Sequence, residues 1–194
     1  MQTIIIRELW LAFRRATFGQ ENLTMKMGMV IGSTTGNTKD VGEAIKKVLG
    51  GRIDEIHDIE SKKLAELTGY DVLLVGIPTW DIGQLQEDWI FAESQFEGLS
   101  FEGTQVAFFG DGDQINYPHN FQDAMGILRE HFVDCGATAT IGHWPSDDYD
   151  FVQSEALIDD MFVGLPLDYM EQPEYTEERV QAWCAQILEE IGAA

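Results

Sequence analysis

Positively charged residues are scarce in this sequence. Only 12 lysines and arginines stand against 34 aspartates and glutamates, which gives a formal net charge of −22 over 194 residues. A surface this acidic repels the phosphates of nucleic acids and of anionic membranes, which argues against both as partners. The same charge suits docking to basic proteins, although solubility alone accounts for it equally well.

Cysteine is nearly absent too, with two residues, Cys135 and Cys184, placed far apart on predicted helices. Buried free thiols are the default interpretation of both, and they are at most weak evidence for a reducing compartment. No metal-ligand spacing is present among these thiols and the four histidines. We therefore expect a monomeric cytoplasmic protein that binds no metal and does not insert into a membrane.

Residues 1–24 differ in composition from the rest, with three arginines and two glutamates. Their apolar stretch is short and is interrupted by Arg7, Glu8 and Arg14, which argues against a membrane span or a secretory signal. Three interpretations stay open: an upstream start codon with translation from Met25 or Met27, a short targeting or docking segment, or a disordered tail. We expect the folded domain to cover residues 25–194.

A hydroxyl-rich loop lies between a predicted strand, residues 27–31, and a predicted amphipathic helix. The helix has its apolar residues at helical spacing: Val41, Ala44, Ile45, Val48 and Leu49. The loop itself supplies two glycines and four hydroxyls: Gly32, Gly36, Ser33, Thr34, Thr35 and Thr38. Hydroxyls and backbone N–H groups at a helix N-terminus favour an anion, so the loop is a candidate phosphate site.

This loop has no lysine or arginine, and their absence distinguishes a nucleoside triphosphate site from a monophosphate site. Asn37 stands where a nucleotide triphosphatase loop needs its lysine, and the dinucleotide pattern Gly-x-Gly-x-x-Gly is missing. Neutral donors suit a single terminal phosphate, buried and fully hydrogen-bonded. The alternative is an ordinary Ser/Thr turn that caps a helix.

Predicted strands alternate with predicted helices along the rest of the chain. The strands are expected at residues 27–31, 52–56, 71–76, 105–110 and 138–141. Helices are expected with Phe121, Ala124, Met125, Leu128 and Phe132 inward, and with Val180, Trp183, Cys184, Ile187, Leu188 and Ile191 inward. Continuous apolar strands indicate a doubly wound, five-stranded parallel sheet with helices on both faces, a three-layer α/β/α fold. Ligands of such folds bind at the carboxyl ends of the strands.

Two more loops at those carboxyl ends contain a large aromatic residue, Trp80 in one and Tyr117 in the other. A large ring in a solvent-facing loop is explained if it covers a ligand, and two rings can sandwich a flat ring system. Either ring could instead fold back on its own loop. Together with one monophosphate cradle, the pair matches the outline of flavin mononucleotide, FMN.

These three motifs, in their order and spacing, resemble those of the flavodoxin family. The resemblance covers residues 25–191, and residues 143–161 resemble the insertion that splits the fifth strand in its long-chain subgroup, with residues 162–165 resuming the strand. The cofactor-binding residues that the resemblance implies are Ser33, Thr34, Thr35, Gly36, Asn37, Thr38, Pro78, Thr79, Trp80, Asp81, Ile82, Gly83, Gly112, Asp113, Tyr117 and Asn120.

The resemblance implies a low-potential carrier of single electrons on non-covalent FMN, which shuttles between semiquinone and hydroquinone, and not an enzyme. The carbonyl between Asp81 and Ile82 would then accept from flavin N5 in the semiquinone. Negative charge, including that of Asp113, would make the second reduction costly and its potential low. Basic redox partners of the family include photosystem I, ferredoxin-NADP reductase and, in nitrogen fixers, nitrogenase.

Two other functions stay open on a fold of this kind. A flavin-dependent NAD(P)H:quinone reductase needs one open flavin face, and closure by Trp80 and Tyr117 argues against it. A receiver domain without a cofactor needs an acidic cluster after the first strand and a late lysine, and this sequence has neither. One departure from the family pattern is Asp81, which stands where Asn or Gly is common. This departure matters because Asp tolerates a left-handed turn less well than Gly.

Overall fold

The computed structural model describes residues 25–139 and 141–193. The predictions made for residues 1–24 lie outside the described residues. Within them, a parallel five-stranded sheet is built from strands β1 (Met27–Ile31), β2 (Ile53–Asp58), β3 (Val72–Gly76), β4 (Gln105–Asp111) and β8 (Gly164–Leu167). The strand order is β2-β1-β3-β4-β8, so the order reverses beside β1. The predicted doubly wound sheet is confirmed.

In the part of the chain that the structure describes, four α-helices cover the two faces of this sheet: α1 (Asn37–Leu49), α2 (Glu87–Ala92), α3 (Asp123–Asp134) and α4 (Thr176–Glu190). Short 3-10 turns occupy Gly50–Arg52, Leu64–Glu66, Glu93–Phe96 and Pro173–Tyr175. Strand residues alternate between two apolar cores, so that Met29 and Ile31 pack with α1 and α4 while Val30 packs with α2 and α3. This alternation confirms the three-layer arrangement.

The inner faces of the helices follow the predicted periodicity with one exception. The residues predicted to face inward that lie in α3 are buried, as are Phe121 just before it and several of those in α4: Ala124, Met125, Leu128, Phe132, Trp183, Cys184 and Ile187. Val48 of α1, predicted to point inward, is 43% exposed. The first helix therefore buries a narrower stripe than expected, formed by Val41, Ile45 and Leu49.

The edge beside β4 differs from the prediction for residues 138–141. Thr138 forms only an isolated parallel bridge with Gln105, and the chain then turns at Gly142, which has φ +71. A positive φ of this kind ends an extended strand. The regular edge strand is β8, which pairs with residues 108–111 and starts at Gly164, not at Phe162.

A small antiparallel sheet lies between these two pieces of the edge. Its strands are β5 (Trp144–Pro145), β6 (Leu157–Ile158) and β7 (Met161–Phe162), in the order β5-β7-β6. Phe162, expected in the resumed fifth strand, belongs to this sheet instead. The small sheet and its loops pack against the turn before α3 through ring contacts of Tyr149 and Phe151 with Phe121.

Candidate functional site

Three loops leave the carboxyl ends of neighbouring strands side by side. We call them the hydroxyl loop (residues 32–38, after β1), the tryptophan loop (residues 77–84, after β3) and the tyrosine loop (residues 112–122, after β4). Backbone hydrogen bonds join them at the sheet edge: the Gly32 N–H donates to the Gly76 carbonyl at 3.0 Å, and the Thr79 N–H donates to the Asp111 carbonyl at 2.8 Å. Parallel pairing therefore places the predicted site residues at one edge.

The hydroxyls of the first loop divide into two groups. Ser33 Oγ accepts from the Gly36 N–H at 3.2 Å, and Thr34 Oγ1 accepts from Gln86 Nε2 at 3.2 Å. Thr38, in contrast, is buried and its Oγ1 has no hydrogen-bond partner among the described residues. A buried hydroxyl without a partner is rare in folded proteins, so the unsatisfied Thr38 hydroxyl indicates a ligand-binding site in this loop.

The N-terminus of α1 is open toward this loop. Gly36 stands at the N-cap in a left-handed conformation, φ +101, and no side chain caps the helix. The closest cation along the helix, Lys39, is paired with Asp58 at 2.6 Å. An uncapped N-terminus with neutral donors, and with no free cation beside it among residues 25–139 and 141–193, is suited to a single anion. The monophosphate cradle at this loop stays a prediction.

The tryptophan loop is a tight hairpin in which Trp80 and Gln84 exchange backbone hydrogen bonds at 2.9 and 2.7 Å. Its turn contains two positive φ angles, +46 at Asp81 and +94 at Gly83. Ile82 at the tip is 71% exposed. Asp81 therefore adopts the left-handed turn despite its side chain, which is a strained conformation for a residue other than glycine.

Two further buried polar atoms without a partner lie in this loop: Thr79 Oγ1 and the indole Nε1 of Trp80. Together with Thr38 Oγ1 they make three of the six such side-chain atoms in the described part of the chain. Half of the unsatisfied groups thus lie in two adjacent loops at one sheet edge, and a fourth, Gln122 Oε1, lies at the end of the third loop. A bound polar ligand would satisfy them, so the residues present fit a phosphorylated cofactor.

The tyrosine loop holds its own shape through Asp113. The Asp113 carboxylate accepts from the backbone N–H groups of Ile115 and Asn116 at 3.1 and 2.7 Å, and from Asn116 Nδ2 at 2.7 Å. Tyr117 is 47% exposed, which leaves its ring free to cover a ligand. The Asn120 amide donates to Asp123 Oδ2 at 2.8 Å. The Gly112 N–H donates to the Leu167 carbonyl at 3.0 Å, so it already has a partner.

Three residues that order the site were not predicted from the sequence: Gln86, Asp111 and Asp168. Gln86 is buried, reaches Thr34 and caps α2 by accepting from the Asp88 N–H. Asp168 is fully buried and accepts from the tyrosine loop at the backbone and side-chain nitrogens of Gln114. The only signal in the sequence is that Asp111 and Asp168 are acids directly after apolar runs of the sequence.

Burial raises the pKa of the Asp111 carboxyl. Hydrogen bonds from Asn37 and from the Tyr169 backbone oppose this rise, and the charges of Asp168 and Asp113 add to it. In the described residues, no group of three or more His, Cys, Asp or Glu side chains is arranged to hold a metal ion. No helix among them is long and apolar enough to cross a membrane.

The family model described as flavodoxin matches residues 30–183 of this chain. The chain is 44% identical over 169 residues to a flavodoxin of Trichodesmium erythraeum, which covers 86% of this chain and 98% of that protein. It is 45% identical over 165 residues to flavodoxin 1 of Escherichia coli K12, covering 84% and 93% respectively.

Solved structures support the fold independently. The crystal structure of Fusobacterium nucleatum flavodoxin bound to flavin mononucleotide superposes with a TM-score of 0.80 at 22% identity, covering 85% of this chain and 98% of that one. At this identity the similarity shows the shared fold alone.

Proposed function

Because this chain belongs to the flavodoxin family of electron carriers, we propose that it binds FMN non-covalently and carries one electron at a time between proteins. Bound FMN would supply the redox chemistry, working at low potential between its semiquinone and hydroquinone levels. The observation that carries the proposal is the collection of buried, unpartnered Thr38 Oγ1, Thr79 Oγ1 and Trp80 Nε1 in adjacent loops.

The phosphate subsite is assigned to the hydroxyl loop. Its donors are the side chains and backbone around the open N-terminus of α1: Ser33, Thr34, Thr35, Gly36, Asn37 and Thr38. Since no cation of the loop neutralises the phosphate, backbone N–H groups, hydroxyls and the helix dipole must stabilise it. Such a site favours a monophosphate over a longer chain, which needs a lysine and a metal.

The ring subsite is assigned to the two aromatic loops, with Trp80 and Tyr117 on opposite faces of the isoalloxazine. The remaining contacts to ring and ribityl atoms would come from Pro78, Thr79, Asp81, Ile82, Gly83, Gly112, Asp113 and Asn120. The strained turn at Asp81, φ +46, belongs to the peptide that would offer its carbonyl to N5. Apolar faces exclude water, and carboxylates around the ring disfavour added negative charge, which lowers the potential.

Basic redox proteins are the proposed partners, because a net charge of −22 steers an encounter with a positive surface. We propose ferredoxin-NADP reductase and photosystem I, with nitrogenase a further candidate. We also propose that the protein is a monomer of the cytoplasm. Both cysteines are free thiols, and burial raises the pKa of Cys184 to about 12, which keeps it an unreactive thiol.

The experiment that tests the function is a stepwise reduction of the FMN-loaded protein, followed by absorbance. The proposal predicts a distinct half-reduced species before full reduction. Direct passage from oxidised to fully reduced flavin would contradict one-electron transfer. Rapid flavin reduction by NADPH alone in stopped flow would instead favour the quinone reductase.

A further inference from the structure

Asp111 is the last residue of β4, and it contacts three parts of the site at once. Its Oδ2 accepts from Asn37 Nδ2 at 2.9 Å, in the first turn of α1. Its backbone carbonyl accepts from the Thr79 N–H at 2.8 Å, in the tryptophan loop. Its Oδ1 accepts from the Tyr169 N–H at 3.1 Å, just after β8. One residue therefore ties the hydroxyl loop to the tryptophan loop.

The two loops that Asp111 joins are the ones with unpartnered threonine hydroxyls, Thr38 in one and Thr79 in the other. In a phosphorylated flavin the phosphate and the ring belong to one molecule of fixed maximum length. The two subsites strengthen each other only if the loops keep the right separation and orientation. A link between them therefore affects binding of the whole cofactor more than binding of either part.

A carboxylate is an unexpected residue at this position on charge alone. Asp111 lies beside a predicted phosphate site, where its negative charge repels the ligand, and Asp113 and Asp168 add charge of the same sign nearby. Its burial is also costly. These costs are understandable if the two side-chain oxygens are needed as acceptors for Asn37 and for the Tyr169 N–H at the same time.

We propose that Asp111 is a positioning residue for the cofactor, which holds Asn37 and the start of α1 in register with the tryptophan loop so that phosphate and ring bind together. The inference rests on the proposed function, because it concerns the same site. Asp111 does not touch the cofactor in this account, and it acts through Asn37 and Thr79.

The test compares the affinities of the apoprotein for FMN and for riboflavin, which lacks the phosphate, by fluorescence quenching. In Asp111→Ala, FMN affinity is expected to fall about tenfold or more, the loss typical of a hydrogen bond to a charged group. Riboflavin affinity is expected to stay unchanged, because only the phosphate subsite moves relative to the ring subsite. The preference for FMN over riboflavin therefore shrinks.

The matched control is Asp40→Ala, which removes an exposed carboxylate from the first turn of the same helix. Loss of negative charge near the phosphate is expected to leave FMN binding unchanged or slightly tighter. A fall in FMN affinity for Asp111→Ala without a fall for Asp40→Ala separates positioning from charge. If Asp111→Ala bound FMN as tightly as the wild type, or lost FMN and riboflavin affinity equally, the proposal would be overturned.

Asn37→Ala removes the same hydrogen bond together with the donor that Asn37 is proposed to offer the phosphate, so it is interpreted through the double variant, with Asp111→Asn as the change at 111 if Asp111→Ala does not fold. It should show the same selective loss of FMN affinity, and the double variant should be no weaker than the worse single variant. Unchanged FMN binding in Asn37→Ala would overturn the proposal. Failure of the wild type to bind FMN would contradict the proposed function instead.

Discussion

Gly83 and Asp123 lie so close that a Cβ added to Gly83 would stand 2.6 Å from Asp123 Oδ2. Asp123 is buried and cannot move aside easily, since Asn120 Nδ2 and the Glu155 N–H donate to its two oxygens at 2.8 Å each. This contact seats the tryptophan loop on the start of α3. The tryptophan loop therefore packs against the start of α3, which directly follows the tyrosine loop.

Gly83→Ala is expected to weaken both stability and FMN binding. The residue has φ +94, so alanine is strained there in addition to the contact with Asp123, at a cost of about 1–3 kcal/mol. Urea unfolding of the apoprotein measures the first effect and flavin quenching the second. Gly69→Ala is the control, because nothing lies within 4 Å of its added Cβ. Equal stability of the two variants would contradict this packing.

The aromatic faces predict a graded effect of ring removal. Tyr117→Ala and Trp80→Ala should each weaken FMN binding about tenfold or more, since ring stacking contributes roughly 0.5–1.5 kcal/mol beyond the buried area. Tyr117→Phe keeps the ring and should bind nearly as well as the wild type. Phe91→Ala is the control, because Phe91 is 70% exposed on α2, outside the proposed ring subsite. If neither Trp80→Ala nor Tyr117→Ala changed the affinity for FMN, stacking of the two rings on the flavin would be excluded.

The parts of the fold and of the site that the sequence predicts are those set by neighbouring residues in the chain. Strands β1, β3 and β4 are continuous apolar runs, so the sheet and the three loops at its edge follow from pattern alone. Helix α2 was not predicted, because Ile90 and Phe91 are exposed while Trp89 and Ala92 are buried. An apolar run without a consistent face carries no helical periodicity.

The contacts between loops could not be predicted in the same way. Asn37 and Asp111 are 74 residues apart in the chain, and nothing in either motif indicates their bond. The split edge strand was only partly foreseen, since Gly142 turns the chain away after Thr138 and Phe162 joins the small sheet. These features arise from tertiary packing, which propensity and periodicity do not contain.

Removal of the Asp168 carboxylate is expected to lower the stability of the protein strongly. Its buried carboxylate accepts four N–H groups: two from Gln114, one from Met170 and one from Glu171. Asp168→Ala leaves these donors without their partner and should cost about 2–4 kcal/mol in urea unfolding of the apoprotein. Asp134→Ala, at an exposed helix end, should change stability by less than about 0.5 kcal/mol. A loss as small for Asp168 would mean that water replaces the carboxylate.

His57 gives a prediction about pH. Burial lowers its pKa below the ordinary value of 6.5, against the partial support of Glu55 for the charged form, and its Nε2 lies 2.7 Å from the Tyr70 hydroxyl. Because the unfolded chain binds the proton more readily than the folded protein, the contribution of His57 to stability is fully present above the ordinary pKa. It is lost as the pH falls toward the lowered pKa of the folded state. The free energy of unfolding should therefore decrease from about pH 7.5 to about pH 5.5.

In His57→Gln this decrease should be smaller, since the titrating group is gone. The difference between the variant and the wild type in the slope of unfolding free energy against pH cancels the contributions of the other histidines. Parallel profiles for His57→Gln and the wild type would show that His57 titrates as it does in the unfolded chain.

The central claim is that three loops at one sheet edge bind one FMN, with a cation-free cradle for its phosphate and two rings on its flavin. The most direct measurement is a titration of the purified apoprotein with FMN, followed by flavin fluorescence. The account predicts quenching that saturates at one FMN per chain, and weaker binding of riboflavin. Fluorescence that stays at the level of free FMN throughout the titration would contradict it.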